Sequence, residues 1–218
     1  NGKDFLGGPV VNRLEQEWSE FFQVKYSISM NSLTSGLFAC IGAAGIGPGD
    51  EVVVTPTTMI ASATCIIAYG ALPVFADIDH SNFCLSRQTI EPKITSRTKA
   101  ILVVHLFGYP VNMDEIMRLA AEYGLFVIED CAQAPSAKFR GQPVGTFGHM
   151  GGFSLNYHKT IHCGEGGIVV TNDDDLAQRL QLIRNHGEAV VREMEIPNLV
   201  NVFGGNYRMT ELEAAIAS

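Results

Sequence analysis

The 218-residue sequence is poor in charge and has no long apolar runs. Only 17% of it is charged, and 23 acidic residues outnumber 15 basic ones, leaving a formal net charge of -8. No basic run is present to neutralise phosphates, which argues against a nucleic-acid partner. No window of about twenty uncharged apolar residues occurs, so no membrane span is expected. The opening Asn1-Gly-Lys-Asp-Phe5 lacks the charged-then-apolar layout of a signal peptide. The five cysteines (Cys40, Cys65, Cys84, Cys131 and Cys163) are odd in number and include no Cys-x-x-Cys. That pattern points to reduced thiols and a cytoplasmic location. His158, His162 and Cys163 fall in an irregular stretch without a second ligand pair, so no metal site is expected. No internal repeat or low-complexity segment is present.

What remains is 46% hydrophobic, enough for a large globular domain with a substantial core. Val11, Leu14, Trp18, Phe21 and Phe22 recur at helical spacing, predicting a helix over Val10–Phe22. A short strand over Lys25–Ser29 feeds a hydroxyl-rich turn, Met30 to Ser35, and then a small-residue helix over Gly36–Ala44. Further strands are predicted at Glu51–Thr55, Leu72–Asp79, Lys99–Leu106 and Leu125–Asp130, with helices at Thr57–Tyr69, Ile90–Ile94 and Met113–Tyr123. Beyond them lie strands on either side of a loop that carries Lys159, a helix over Leu176–Asn185, an irregular stretch over Glu188–Val202, and a final helix opened by Thr210 and Glu211. Strands alternating with helices at this pace predict a mostly parallel central sheet with helices on both faces, a three-layer α/β/α fold. Ligands of such sheets collect beyond the carboxyl ends of the strands.

Three features are candidates for that edge. The stretch Gly152 to Thr171 holds one lysine, Lys159, between two apolar strands. A lysine near low-dielectric walls loses part of its preference for the charged form, and a neutral amine attacks carbonyls. A loop lysine whose stem lies over apolar surface is the plainer alternative. Thr34 and Ser35 at a strand-to-helix turn would suit a phosphate, and equally an ordinary helix cap. Asp130 ends an apolar strand. A buried acid, a hydroxyl-lined helix start and a desolvated lysine are together what a pyridoxal phosphate site requires.

Several motifs then occur in a specific order. They are Gly49-Asp-Glu-Val52 with Thr55-Pro56, Pro73-Val-Phe-Ala-Asp-Ile-Asp79, Val104-His-Leu-Phe-Gly108, Ile128-Glu-Asp-Cys-Ala-Gln-Ala134, Phe153-Ser154 with Lys159 and Gly164-Glu-Gly-Gly167, Arg184-Asn-His-Gly187, and Asn206-Tyr-Arg-Met-Thr-Glu211. Through them the chain resembles the large-domain portion of the DegT/DnrJ/EryC1/StrS sugar aminotransferases, fold-type I enzymes dependent on pyridoxal 5'-phosphate. The resemblance runs over nearly the whole of residues 1–218 and implies one cofactor-binding large domain. The small domain that should follow it is not in the sequence.

The resemblance implies that Lys159 is the catalytic Schiff-base lysine, forming the internal imine with the cofactor. Asp130 would pair with the pyridine nitrogen and Gln133 would bond near the phenolic oxygen. Ser154, Thr34 and Ser35 would hold the phosphate. Met59 stands where many members place an aromatic ring over the cofactor, and Leu33 replaces a usual small residue in the first turn. Tyr157-His158 has two readings, an imidazole placed near substrate and a structural hydrogen bond. Asn206 or Arg208 would complete the phosphate site of a neighbouring subunit, so a homodimer with shared active sites is implied. The implied reaction moves an amino group from an amino acid, glutamate foremost, to a keto-sugar, in all expectation nucleotide-linked. A sister branch carries histidine in place of the lysine and dehydrates sugars. Lys159 favours transamination over that branch. A truncated or non-catalytic cofactor-binding relative is the reading from a different class. A nucleotide-binding α/β domain fits poorly, because the glycine runs at Gly45 and Gly164 do not open helices after strands.

Overall fold

The computed structural model describes residues 7–187 and 203–218. The stretch expected to be irregular over Glu188–Val202 lies outside them. Helix α1 (Pro9–Phe22) leads to strand β1 (Tyr26–Met30), helix α2 (Leu33–Ala43) and strand β2 (Glu51–Val54). Then follow α3 (Ala61–Ala68), β3 (Leu72–Phe75), α4 (Arg87–Ile90), β4 (Thr98–Val104), α5 (Met113–Tyr123) and β5 (Phe126–Asp130). A small hairpin, β6 (Lys138–Phe139) and β7 (Gln142–Pro143), precedes β8 (Met150–Ser154) and β9 (Gly167–Thr171). Helices α6 (Asp174–Arg184) and α7 (Glu211–Ala217) complete the described residues.

Seven strands form one sheet in the order β1-β9-β8-β5-β4-β2-β3. The pairs β2/β3, β2/β4, β4/β5 and β5/β8 are parallel, and only β9 runs against its two neighbours. The expected mostly parallel sheet is therefore present. Strand β9 shows why both faces are covered. With period 2, its Ile168 and Val170 join a core cluster with Val11, Leu14, Trp18 and Phe22 of α1, whereas Val169 joins the larger cluster with Leu37 and Ile41 of α2. Among the described residues no helix is long and apolar enough to cross a membrane.

Several boundaries differ from expectation, and hydroxyl side chains cause most of the differences. Helix α2 begins at Leu33 rather than Gly36, because the Ser32 hydroxyl caps it by accepting from the Ser35 amide at 3.1 Å. Thr34 and Ser35 thus lie in its first turn. The segment Thr57–Ile60 is not helical. The Thr55 hydroxyl accepts from the Thr57 amide at 3.1 Å, a local bond that competes with helix. Strand β3 stops at Phe75, and Asp79 instead holds a turn through the Ser81 amide and hydroxyl at 2.8 and 2.6 Å. The helix expected at Ile90–Ile94 is α4, set earlier by a capping box between Ser86 and Thr89, with a single 3-10 turn over Glu91–Lys93 after it.

Two glycines seat α2 on the sheet. A Cβ on Gly152 would stand 2.5 Å from Leu33 Cδ1, and one on Gly167 would stand 2.4 Å from the Leu33 amide nitrogen. Their bare backbones let the start of α2 descend onto β8 and β9, with Leu33 as the contact.

Candidate active site

The carboxyl ends of β1, β4, β5 and β8 open on one cleft of about 160 Å³. Its lining includes Thr34, Met59, Asp130, Gln133, Ser154 and Lys159. Six of the residues picked from the sequence thus meet in one place.

Asp130, the last residue of β5, is buried, and two donors hold its carboxylate. The Ala132 amide donates to Oδ1 at 3.0 Å and the Ser62 hydroxyl to Oδ2 at 2.8 Å. Burial pushes its pKa above the usual carboxylate range; the Ala132 amide and then the Ser62 hydroxyl oppose that shift, as does the charge of Lys159. Lys159 sits half-buried in the loop between β8 and β9, its amide donating to the Asn156 carbonyl at 2.9 Å. That loop is closed at its base by Leu155 N–H to Gly166 O at 2.9 Å. Higher up, Asn156 Nδ2 donates to Glu165 Oε1 at 2.7 Å.

Gln133 is oriented by its neighbour. The amide of Phe107, a residue in the left-handed region at φ 53°, donates to Gln133 Oε1 at 2.7 Å. With the carbonyl end engaged, the Gln133 amide nitrogen is the end left to serve the cleft as a donor. Thr34 and Ser154 bring hydroxyls, and the amides of Leu33 and Thr34 precede the first intrahelical bond, from Gly36 to Ser32. Met59, 62% exposed, stands at the mouth.

Three expected site residues do not line this cleft. The buried Ser35 hydroxyl donates to Asn31 Oδ1 at 2.7 Å, inside the cap of α2. Asn206 and Arg208 lie beside the end of β1, where the Asn31 amide donates to the Tyr207 carbonyl at 2.7 Å. The Arg208 guanidinium donates to Asn185 Oδ1 at 2.5 Å, and Asn206 is exposed.

Two groups escaped the sequence reading. One is Ser62, on a helix that reads as merely apolar. The other is a buried pair behind the site, His105 and Glu129. The Val111 amide donates to His105 Nδ1 at 3.0 Å, so the ring proton sits on Nε2 and faces Glu129 Oε2 at 3.0 Å. Glu129 also accepts from the amides of Gly145, Phe147 and Gly148 at 2.7, 2.8 and 2.6 Å. Among the described residues, His105, Glu129 and Cys131 are the group of potential metal ligands that converges, but both imidazole nitrogens and both Glu129 oxygens are engaged in these bonds. The trio is a structural network.

The sequence profile of the DegT/DnrJ/EryC1/StrS aminotransferase family matches residues 1–218. The chain belongs to that family. It is 44% identical over 209 residues to GDP-perosamine synthase of Escherichia coli O157:H7, covering 96% of this chain and 56% of that protein. To UDP-N-acetyl-3-dehydro-alpha-D-glucosamine 3-aminotransferase of Acidithiobacillus ferrooxidans it is 42% identical over 213 residues, covering 97% and 56%. Among solved structures, NtdA of Bacillus subtilis with bound cofactor PMP superposes with a TM-score of 0.88 at 32% identity, covering 97% of this chain and 47% of that one. The chain therefore spans about half the length of the relatives it matches.

Proposed function

We propose that this chain is the cofactor-binding large domain of a pyridoxal 5'-phosphate-dependent aminotransferase that moves an amino group from an amino acid, glutamate foremost, to a nucleotide-linked keto-sugar. One observation carries the reading: a buried, two-donor carboxylate, Asp130, and Lys159, the only lysine lining the cleft among the described residues, border the same small space. The residues present fit the cofactor. Asp130 would pair with its ring nitrogen, the Gln133 amide nitrogen with its phenolic oxygen, and Thr34, Ser154 and the first amides of α2 with its phosphate. Met59 would lie against the ring face, a softer surface than an aromatic one. When bound, pyridoxal phosphate supplies an electron sink that stabilises negative charge at the substrate carbon.

The chain's own residues do the rest. Lys159 would hold the cofactor and then, freed by substrate, carry a proton to and from the substrate carbon. Asp130 keeps a negative charge where the ring nitrogen must stay protonated. The Asn156–Glu165 bond fixes the two arms of the lysine's loop and so limits where the amine can travel. A homodimer with shared sites is part of the proposal. Asn206 is the residue we assign to the neighbouring subunit, because it is exposed while the Arg208 guanidinium is engaged by Asn185. Cytoplasmic location agrees with five buried cysteines, all free thiols.

The test is borohydride reduction of the protein after loading with pyridoxal 5'-phosphate, read by intact and peptide mass. The expected result is one pyridoxyl adduct on Lys159, absent from Lys159→Ala, and, before reduction, a visible band that changes when glutamate is added. A protein that takes up no cofactor, or carries the adduct on other lysines alone, would sink the reading.

A further inference from the structure

Asp130 is not held by its own strand alone. The Ser62 hydroxyl of α3 has a single proton, and that proton goes to Asp130 Oδ2 at 2.8 Å. The contact between Thr58 Oγ1 and Ser62 Oγ, 2.9 Å, therefore has one direction: Thr58 donates and Ser62 accepts. The result is a polarised chain from Thr58, at the cleft wall, through fully buried Ser62 to the carboxylate. We propose that Ser62 is a positioning residue which, with Thr58 behind it, keeps Asp130 ionised and aimed for the cofactor's ring nitrogen. The proposal rests on the cofactor reading for its purpose, while the chain of bonds itself does not.

The need for such a device follows from the surroundings. The titratable groups facing Asp130 are Cys40 of α2, Cys65 of α3, His105 after β4, the adjoining Cys131, and Lys159. Burial pushes all three thiols up, so they stay neutral and give the carboxylate no counter-charge. The proton of His105 points to Glu129, not to Asp130. Lys159 is committed to chemistry. Direct support for the negative charge therefore comes from the Ala132 amide, which is fixed by the backbone, and from Ser62, which is a choice of side chain. Bonds to an ionised acceptor are stronger than neutral ones, and a Thr58 proton on Ser62 Oγ strengthens the Ser62 donor in turn.

Two measurements test this. In the cofactor-free protein, the carbon-13 resonance of the Asp130 carboxyl should titrate about one pH unit higher in Ser62→Ala than in wild type, the scale set by losing one hydrogen bond to a charged group. In the second, pyridoxal 5'-phosphate affinity is followed across the acid-to-neutral range. Removing the donor raises the pH needed to ionise Asp130, so the acid limb of binding should move upward. The affinity loss is up to about tenfold on the acid side and fades as pH rises. Thr58→Val should move both readings the same way by less, and Thr58→Ser should restore them. Should Ser62→Ala not fold, as judged by its melting transition, the Thr58 pair decides. Superimposable titrations in Ser62→Ala and Thr58→Val would overturn the proposal. So would a loss equal at every pH, since that is the mark of a missing packing contact. If the carboxyl titration shifts as stated but wild type takes up no cofactor, the relay stands and the cofactor reading fails.

Discussion

Replacing Glu129 by glutamine changes one oxygen into an NH2 group and leaves shape and volume nearly alone. The consequence follows from four donors converging on two oxygens. Oε1 accepts from Phe147 and Gly148 and can go on doing so as an amide oxygen. Oε2 accepts from the Gly145 amide at 2.7 Å and from His105 Nε2 at 3.0 Å. An amide nitrogen there would face two donors. His105 cannot turn its proton to the other nitrogen, because Nδ1 already accepts from Val111. Two bonds to a charged acceptor are lost, at about 1.5–3 kcal/mol each, so the variant should lose roughly 3–6 kcal/mol. For a domain of this size that is a fall of roughly 6–24 °C in Tm. Urea unfolding should show the midpoint falling at unchanged slope. A loss below about 1 kcal/mol would show that Glu129 does not bear these four bonds as a carboxylate, and the assignment of the His105 proton would fall with it.

Two other outcomes are expected. Gly152→Ala should cost about 1–3 kcal/mol by overpacking against Leu33, and much of that loss should vanish in the Leu33→Ala background; strict additivity in the double-mutant cycle would refute the contact. Burial holds His149 below the ordinary imidazole range, and its Nδ1 accepts from the Val127 amide at 3.0 Å. The unfolded chain therefore binds the extra proton first, and stability should drop as pH falls through about 6.5, measurably less so in His149→Gln; identical pH profiles would remove His149 from the account.

Which parts of the site were legible follows from how each signal is written along the chain. Asp130 is the second of two acids that end the apolar run Leu125–Ile128, and Lys159 is the one lysine between two apolar strands, so both stand out against their neighbours. Thr34 was found from its hydroxyl-rich strand-to-helix turn, Gln133 and Ser154 through motif order, and all three lie in the cleft with them. Ser62 was invisible because its partner is 68 positions away and its own surroundings, Ala61 to Ala68, read as an apolar helix. The Glu129 network failed to show for the same reason: alternate strand residues face opposite sides, and nothing local says which of two adjacent acids turns to the cleft. The early starts of α2 and α4 and the late start of α3 trace to hydroxyls that bond locally, an influence that apolar periodicity does not register. The hairpin β6/β7 is too short for any period to be read from it.

The lone reversed strand, β9, bears on how such a site can diversify. Because β8 and β9 are sheet neighbours, the lysine's loop leaves and re-enters the sheet at adjacent places, and both its ends are clamped by ladders. Asp130 is opposite Gly152 and Ser154 is opposite Gly167, so the acid, the Ser154 hydroxyl and the start of the lysine's loop are spaced by register, as marks on a ruler are spaced by its scale. A one-residue insertion in β8 would move no single mark; it would turn Ser154 to the other face and offset the loop beyond it. The wall of the cleft built by β5, β8 and β9 is thus mechanically indivisible. Change in what the cleft accepts is confined to parts with no place in that ladder: the segment around Met59 and the outer loop at His158.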